Sequence, residues 1–120
     1  MPTILIADDT PSEAALMASV VQSLGHVAET VADGETCIAK AKSIKPALIL
    51  LDVVMPKLDG FNTCRKIKKD PELAKTPVIM VTSKNQDSDK FWAEKQGANR
   101  FVTKPFTPES LAEAIKAFVP

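Results

Sequence analysis

The sequence has little of several features that would point to particular classes of protein. Lys and Arg together number 15, and so do Asp and Glu, so the formal net charge is zero. This balance gives no electrostatic reason to expect binding to nucleic acid or to an anionic membrane. No stretch approaches the roughly 20 apolar residues of a membrane span, and the apolar run in the N-terminal MPTILIADD is too short for a signal peptide. We therefore expect a cytoplasmic protein without membrane insertion and without a nucleic-acid partner.

Cysteine and histidine are also scarce. The two cysteines, Cys37 and Cys64, lie far apart and outside any Cys-x-x-Cys or His-rich context. Their spacing favours free, mostly buried thiols over a disulfide or a metal site. The single histidine, His26, follows Gly25 and has no candidate partner nearby in the sequence, which favours a structural role over metal binding.

Short apolar runs alternate with longer segments that have helical spacing. The runs are Thr3–Ala7, His26–Val31, Ala47–Leu51, Pro77–Val81 and Arg100–Thr103. This alternation predicts five strand–helix units and an α/β fold, with a mostly parallel sheet between two layers of helices. A chain of 120 residues suits one domain.

Helix starts and faces follow from the same pattern. Residues 10–13, TPSE, have the form of a capping box with proline at the first helical position. Leu16, Val20 and Leu24, flanked by Met17 and Val21, recur every four residues and predict the buried face of that first helix. Asp33 is placed to cap the second helix, and we interpret Asp59-Gly60 as a turn before the third.

Acidic and polar side chains stand where the predicted strands end. Asp8 and Asp9 follow the first strand, Asp52 follows the third, Thr82 the fourth, and Lys104 the fifth. In an open parallel sheet, ligands bind beyond the carboxyl ends of the strands. We therefore expect these side chains to meet at one edge of the sheet.

Such a set of groups suits a metal ion and a phosphoryl group. Carboxylates close together raise one another's pKa unless a cation lies among them, and Mg²⁺ is usually held by one or two carboxylates with water and phosphate oxygens. Lys104 can bind a phosphate oxygen as a point charge, and Thr82 can donate a hydrogen bond to another. Asp52, on the central strand, is the best candidate for a nucleophile that forms an aspartyl-phosphate, whereas Asp8 and Asp9 are placed to hold the metal.

Four motifs together resemble the receiver domain of two-component response regulators: ILIADDTPSE, LILLDVVMPKLDG, PVIMVTSK and FVTKPF. The resemblance covers essentially the whole chain. It implies a doubly wound, flavodoxin-like (βα)5 fold with strand order 2-1-3-4-5. It also implies a single receiver domain over residues 1–120, with no output domain.

The resemblance assigns roles to individual residues. It makes Asp52 the phosphoacceptor, Asp9 a direct Mg²⁺ ligand, Asp8 a ligand acting mainly through water, and the backbone carbonyl of Val54 a further ligand. Thr82 and Lys104 would contact the phosphoryl group.

The resemblance also implies a switch. The Lys104–Pro105 bond would be cis, which only X–Pro bonds tolerate at low cost. Phe101 falls where these domains place an aromatic side chain that moves between outward and inward positions. With Thr82, it would bias the surface of the fourth helix, fifth strand and fifth helix toward binding a downstream protein.

The implied partner upstream is a histidine kinase of the chemotaxis type. DKFWAEKQGANRFVTKP resembles the small receivers of the type IV pilus, or twitching-motility, chemosensory system, two of which fit almost equally well. On the fourth helix, Phe91 and Trp92 cannot both point inward, so either ordinary packing or a docking surface remains open there.

Three other functions compete with this interpretation. A phosphatase of the haloacid dehalogenase type needs a second acid two residues after its nucleophile, where Val54 stands. A flavin-binding module needs a Ser/Thr/Gly-rich loop after the first strand, where Asp8 and Asp9 stand. A phosphorylation-independent interaction domain stays open. We expect no enzyme acting on an external substrate, only catalysis of the chain's own phosphorylation and dephosphorylation.

Overall fold

Across residues 1–84 and 86–120, which the computed structural model describes, five strands alternate with five helices. The elements are β1 (Thr3–Ala7), α1 (Pro11–Ser23), β2 (Val27–Val31), α2 (Gly34–Ile44), β3 (Leu48–Leu51), α3 (Gly60–Lys69), β4 (Val78–Thr82), α4 (Asp87–Lys95), β5 (Arg100–Thr103) and α5 (Pro108–Lys116). All neighbouring strands pair in parallel, in the order β2-β1-β3-β4-β5. The predicted α/β class and strand order are confirmed.

The sheet separates two apolar cores. Every residue of β3 and β4 is buried, as expected for strands covered on both faces. Ile49 and Leu51 of β3 pack into the core formed with α2, α3 and α4, whereas Leu48 and Leu50 pack into the core formed with α1 and α5. The carboxyl edge of the sheet lies between these helix layers, where the chain turns from each strand into the next helix.

The strand boundaries differ from the prediction by one residue in four places, one of which is the start of β4 at Val78 instead of Pro77. β2 begins at Val27 instead of His26, β3 at Leu48 instead of Ala47, and β4 runs one residue further, to Thr82. The last difference makes Thr82 part of the sheet, because it pairs with Thr103 of β5.

The predicted capping box of α1 is wrong. In the part of the chain that the structure describes, the Thr10 side chain accepts no hydrogen bond from a backbone N–H of α1. The Thr10 N–H instead donates to the Asp8 carboxylate at 2.9 Å, and the Glu13 side chain pairs with Lys104. An acid in the first turn of a helix fits either arrangement, and here a tertiary ion pair replaces the local cap.

The buried face of α1 agrees with the prediction except at Leu16. Met17 and Val21 are fully buried and Val20 nearly so, but Leu16 is 47% exposed. Because α1 carries apolar residues around most of its circumference, spacing alone leaves several faces equivalent. Packing against the sheet and α5 selects the face that contains Met17 and Val21.

The remaining local predictions agree with the structure. The Asp33 carboxylate accepts from the Thr36 N–H at 2.7 Å, and the Asp59 carboxylate accepts from the Asn62 N–H at 2.9 Å. Asp59 is therefore the N-cap of α3, which confirms that Asp59-Gly60 forms the turn before this helix.

Both cysteines are buried free thiols, as predicted. Burial raises the pKa of Cys37 to about 12 and that of Cys64 to about 11, so neither forms a reactive thiolate near neutral pH. None of the described helices combines the length and the apolar character that crossing a membrane requires.

Candidate functional site

Three carboxylates meet at the carboxyl edge of the sheet. Asp8 and Asp9 follow β1 directly, and Asp52 follows β3, its neighbour in the sheet. One oxygen from each carboxylate lies within 4.8 Å of the others. Asp8 and Asp52 are buried, at 3% and 7% exposure, whereas Asp9 is exposed.

The sheet ladder holds two of these residues in place. The Asp52 N–H donates to the Ala7 carbonyl at 3.0 Å, and the Asp8 N–H donates to the Val31 carbonyl at 3.0 Å. Both bonds extend the strand pairing by one residue beyond the strands themselves. The carboxylates therefore extend from rigid backbone rather than from mobile loops.

Lys104, which directly follows β5, contacts this cluster through its ammonium group. Its Nζ is 2.6 Å from Asp8 Oδ2, 2.8 Å from Glu13 Oε1 and 3.2 Å from Asp52 Oδ2. The Lys104 side chain is only 8% exposed. Lys104 therefore donates hydrogen bonds to Asp8 and Asp52 and forms an ion pair with Glu13.

The charges shift the pKa values of these groups in different directions. Burial raises the pKa of Asp8, although its hydrogen bond with Lys104 opposes this. The Lys104 hydrogen bond lowers the pKa of Glu13. Burial alone would lower the pKa of Lys104, but its hydrogen bonds to Asp8 and Glu13, with the charge of Asp52, raise it overall. Lys104 thus stays protonated at neutral pH.

The donor set fits a hard divalent cation. Asp8, Asp9, Asp52 and Glu13 supply four carboxylates to this edge, and Lys104 supplies one positive charge. Burial, with a smaller contribution from the charge of Asp52, raises the pKa of Asp8, so a bound cation would favour its ionised form. Carboxylate oxygens are ligands that Mg²⁺ prefers, and one or two of these groups with water would hold it.

Thr82 and Lys104 lie side by side at the ends of adjacent strands. The Lys104 N–H donates to the Thr82 carbonyl at 2.9 Å. Thr82 is fully buried, and its hydroxyl accepts from the Lys84 N–H at 3.3 Å. The resemblance implied a cis bond between Lys104 and Pro105, and the structure has one.

Val54 and Phe101 are the other residues singled out from the sequence. The Val54 N–H lies 3.4 Å from Asp52 Oδ1, while its side chain is 53% exposed. Metal binding by the Val54 carbonyl stays a prediction. Phe101, on β5, is partly buried against the core beneath α2, α3 and α4, and its switching motion also stays a prediction.

A cleft leads to the acidic edge. It has a volume of about 420 Å³ and lies between α1 and the end of β2, with Asp8 and Asp9 in its wall. Ala14, Ala15 and Ala18 line its α1 side. Of the acidic residues at this edge, Asp8 and Asp9 border the cleft.

Among the residues that the structure describes, Glu13 contacts the site without having been predicted there. Its position one turn into α1 was interpreted as part of a cap. The sequence does contain one indication of its position. Helix α1 starts at the same edge of the sheet as Asp8 and Asp9, so an acidic residue in its first turn lies near that edge.

Phe91 and Trp92 lie outside this site, on α4. They are 52% and 51% exposed, with ring centroids 5.7 Å apart in an edge-to-face arrangement. Lys95 Nζ lies 5.5 Å from the centre of the Phe91 ring. Neither ring is packed in the core, which leaves an exposed aromatic pair on this helix.

The fold and the site together define a class of protein. A doubly wound five-stranded sheet carries buried carboxylates, a hydroxyl and a lysine at its carboxyl edge, which is the arrangement of a phosphorylation-controlled signalling domain. The family model "Response regulator receiver domain" matches residues 4–116. The chain therefore belongs to the response regulator receiver family.

Two curated relatives come from Pseudomonas aeruginosa. PilH is 40% identical over 98% of this chain and 97% of its own length. PilG is 36% identical over 98% of this chain and 87% of its own length. The chain is thus somewhat more similar to PilH than to PilG.

Solved structures give the same result. The chemotaxis protein CheY4 of Vibrio cholerae has a TM-score of 0.92 and 30% identity, covering 98% of both chains. The receiver domain of the sensor histidine kinase PA1611 from Pseudomonas aeruginosa has a TM-score of 0.91 and 26% identity, covering 98% of this chain and 97% of its own. In that structure a magnesium ion is coordinated in the active-site cleft.

Proposed function

We propose that this chain is a response regulator that takes a phosphoryl group on Asp52 from the phosphohistidine of a histidine kinase. The observation that carries the proposal is the buried contact of Lys104 with both Asp8 and Asp52. This contact supports the proposal because it brings together the groups that would act as nucleophile, metal-binding acid and phosphate-binding cation.

The transfer is a substitution at phosphorus. An Asp52 oxygen forms a bond to phosphorus as the bond from phosphorus to the imidazole nitrogen breaks, and the leaving imidazole takes a proton from solvent. Lys104 and the Thr82 hydroxyl donate hydrogen bonds to the phosphoryl oxygens. Asp8, Asp9, Asp52 and the Val54 carbonyl would hold Mg²⁺, which supplies charge neutralisation for these oxygens.

The chain is proposed to catalyse only its own phosphorylation and dephosphorylation. Val54, two residues after the nucleophile, is apolar, so this position lacks the second acid of the aspartyl phosphatases considered above. The output is a change in binding rather than a released product.

The pathway is proposed to be chemotaxis-like, or that of type IV pilus twitching motility. Similarity to PilH, PilG and CheY4 supports this assignment. The downstream target is proposed to bind the surface of α4, β5 and α5. Half-exposed Phe91 and Trp92 on α4 and partly buried Phe101 on β5 support that surface, since exposed aromatic residues favour protein interfaces.

The test is a mass measurement of the intact protein after incubation with acetyl phosphate and Mg²⁺. We expect one added phosphoryl group in the wild type, and none when EDTA replaces Mg²⁺ or in Asp52→Asn. The matched control is Asp59→Asn, which changes a nearby exposed cap and should be labelled like the wild type. Labelling retained in Asp52→Asn contradicts the proposal. If neither acetyl phosphate nor a panel of histidine kinases labels the wild type, the proposal is also contradicted. That result would favour a phosphorylation-independent interaction domain.

A further inference from the structure

Glu13 contributes a contact that the proposed phosphoryl transfer does not use. It is the third residue of α1, and its Oε1 lies 2.8 Å from Lys104 Nζ. The distance from Lys104 to Asp52 is longer, 3.2 Å. Two carboxylates on the α1 side therefore hold the ammonium more closely than the phosphoacceptor does.

A phosphoryl group on Asp52 has to share this ammonium. The Lys104 ammonium donates hydrogen bonds to Asp8 and Asp52 and forms an ion pair with Glu13. Phosphorylation removes the carboxylate charge of Asp52 and frees the donor that faces it. An ammonium that turns toward the phosphoryl oxygens is still opposed by its closer contacts with Asp8 and Glu13.

The solvent exposure of Asp8 and Glu13 determines which of the two carboxylates can lose Lys104 at the lower cost in free energy. The Asp8 side chain is fully buried and its distance to Lys104 is the shortest, 2.6 Å. The Glu13 side chain is 41% exposed, so water can replace the ammonium as its partner. Losing Lys104 costs a buried carboxylate more than an exposed one, because the buried group stays desolvated.

We propose that Glu13 is a positioning residue that competes with the phosphoryl group for Lys104 and so favours the unphosphorylated form. This inference rests on the proposed function. It predicts that removal of the Glu13 charge makes Lys104 more available to an anion on Asp52.

Beryllofluoride is the probe, because BeF₃⁻ bound to a carboxylate mimics a stable aspartyl-phosphate, and a receiver domain activated by BeF₃ is among the structural neighbours. Affinity is measured by NMR titration at saturating Mg²⁺. We expect Glu13→Gln to bind beryllofluoride about two- to fivefold more tightly than the wild type, the range of a partly exposed ion pair. The matched control is Glu35→Gln. Glu35 is exposed in the first turn of α2, which also starts at this edge of the sheet.

A second readout reports the contact itself. In the wild type, the ¹³Cδ resonance of Glu13 should shift when beryllofluoride binds, because its carboxylate loses the ammonium, while that of Glu35 should not. A merely structural role for Glu13 would leave this resonance unmoved.

The outcomes separate the two proposals. If the wild type takes up phosphoryl and beryllofluoride, but Glu13→Gln binds no more tightly than Glu35→Gln, the competition is refuted and the phosphoacceptor assignment stands. Weaker binding by Glu13→Gln also refutes it, since Glu13 would then be assisting Lys104. If the wild type takes up neither group, both proposals fail.

Discussion

Gly60 supports Asp52 through close backbone packing, and replacing it with alanine should disturb both stability and the site. The Gly60 N–H donates to the Val53 carbonyl at 2.8 Å. A Cβ added at Gly60 would lie 2.7 Å from Val53 Cα and 2.8 Å from the Asp52 carbonyl carbon, and would overlap the Asp52 carbonyl oxygen. These are backbone atoms held by the bond from the Asp52 N–H to the Ala7 carbonyl, so no side-chain rotation relieves the clash.

The cost follows from that rigidity. Inserting a methyl group into well-packed structure typically costs roughly 1–3 kcal/mol. Because the chain itself has to move here, we expect a value at the upper end, about 3 kcal/mol. For a domain of this size, that corresponds to a fall in melting temperature of roughly 10–15 °C.

The assay combines unfolding in urea with beryllofluoride binding. The matched control is Gly34→Ala, whose new Cβ would overlap the Leu58 carbonyl oxygen and the Thr63 hydroxyl instead of Asp52. Both variants should lose stability, but only Gly60→Ala should also bind beryllofluoride more weakly. The reasoning is refuted if Gly60→Ala unfolds within about 0.5 kcal/mol of the wild type. It is also refuted if Gly34→Ala loses as much beryllofluoride affinity.

Three further changes test local features. Lys57 has a φ of 68°, in the left-handed region that glycine adopts without strain. Lys57→Gly should therefore raise the free energy of unfolding, measured in urea, by roughly 0.5–1 kcal/mol. A decrease would show that the backbone is not strained at this position. Asp59→Ala should lower the same quantity by about 1 kcal/mol, whereas Asp59→Asn, which keeps a capping oxygen, should not; equal losses would contradict the cap. The Lys104 hydrogen bond lowers the pKa of Glu13 below its ordinary 4.5, so the stability that Glu13 contributes is present above pH 4.5 and lost as the pH falls through the lowered pKa. Urea unfolding of the wild type and Glu13→Gln should therefore converge in acid, and a pH-independent difference would contradict the ion pair.

Much of this fold was predictable because its signals are local. The runs ending at Leu51 and Val81 predict strands, and both strands lie in the interior of the sheet. Leu16 was placed wrongly because helical spacing identifies apolar positions without stating which of them face the sheet. That choice depends on packing against β1, β3 and α5, which local spacing does not contain.

Some residues of the site could likewise be predicted from the sequence, whereas Glu13 could not. Asp8, Asp52 and Lys104 could be brought together from the sequence, since parallel strands place their carboxyl ends at one edge. Glu13 could not be assigned, because the first turn of a helix accepts an acid for a local cap as readily as for a distant ion pair. Its partner, Lys104, lies near the other end of the chain, and only the folded sheet brings the two together.

The most direct test of the central claim is to locate the phosphoryl group. After incubation with acetyl phosphate and Mg²⁺, borohydride reduces an aspartyl-phosphate to homoserine, and peptide mass spectrometry identifies the modified position. The account predicts this change at Asp52 alone. Modification at Asp8 or Asp9, or a phosphoryl group that resists borohydride because a hydroxyl or imidazole carries it, would contradict the assignment of Asp52 as the phosphoacceptor.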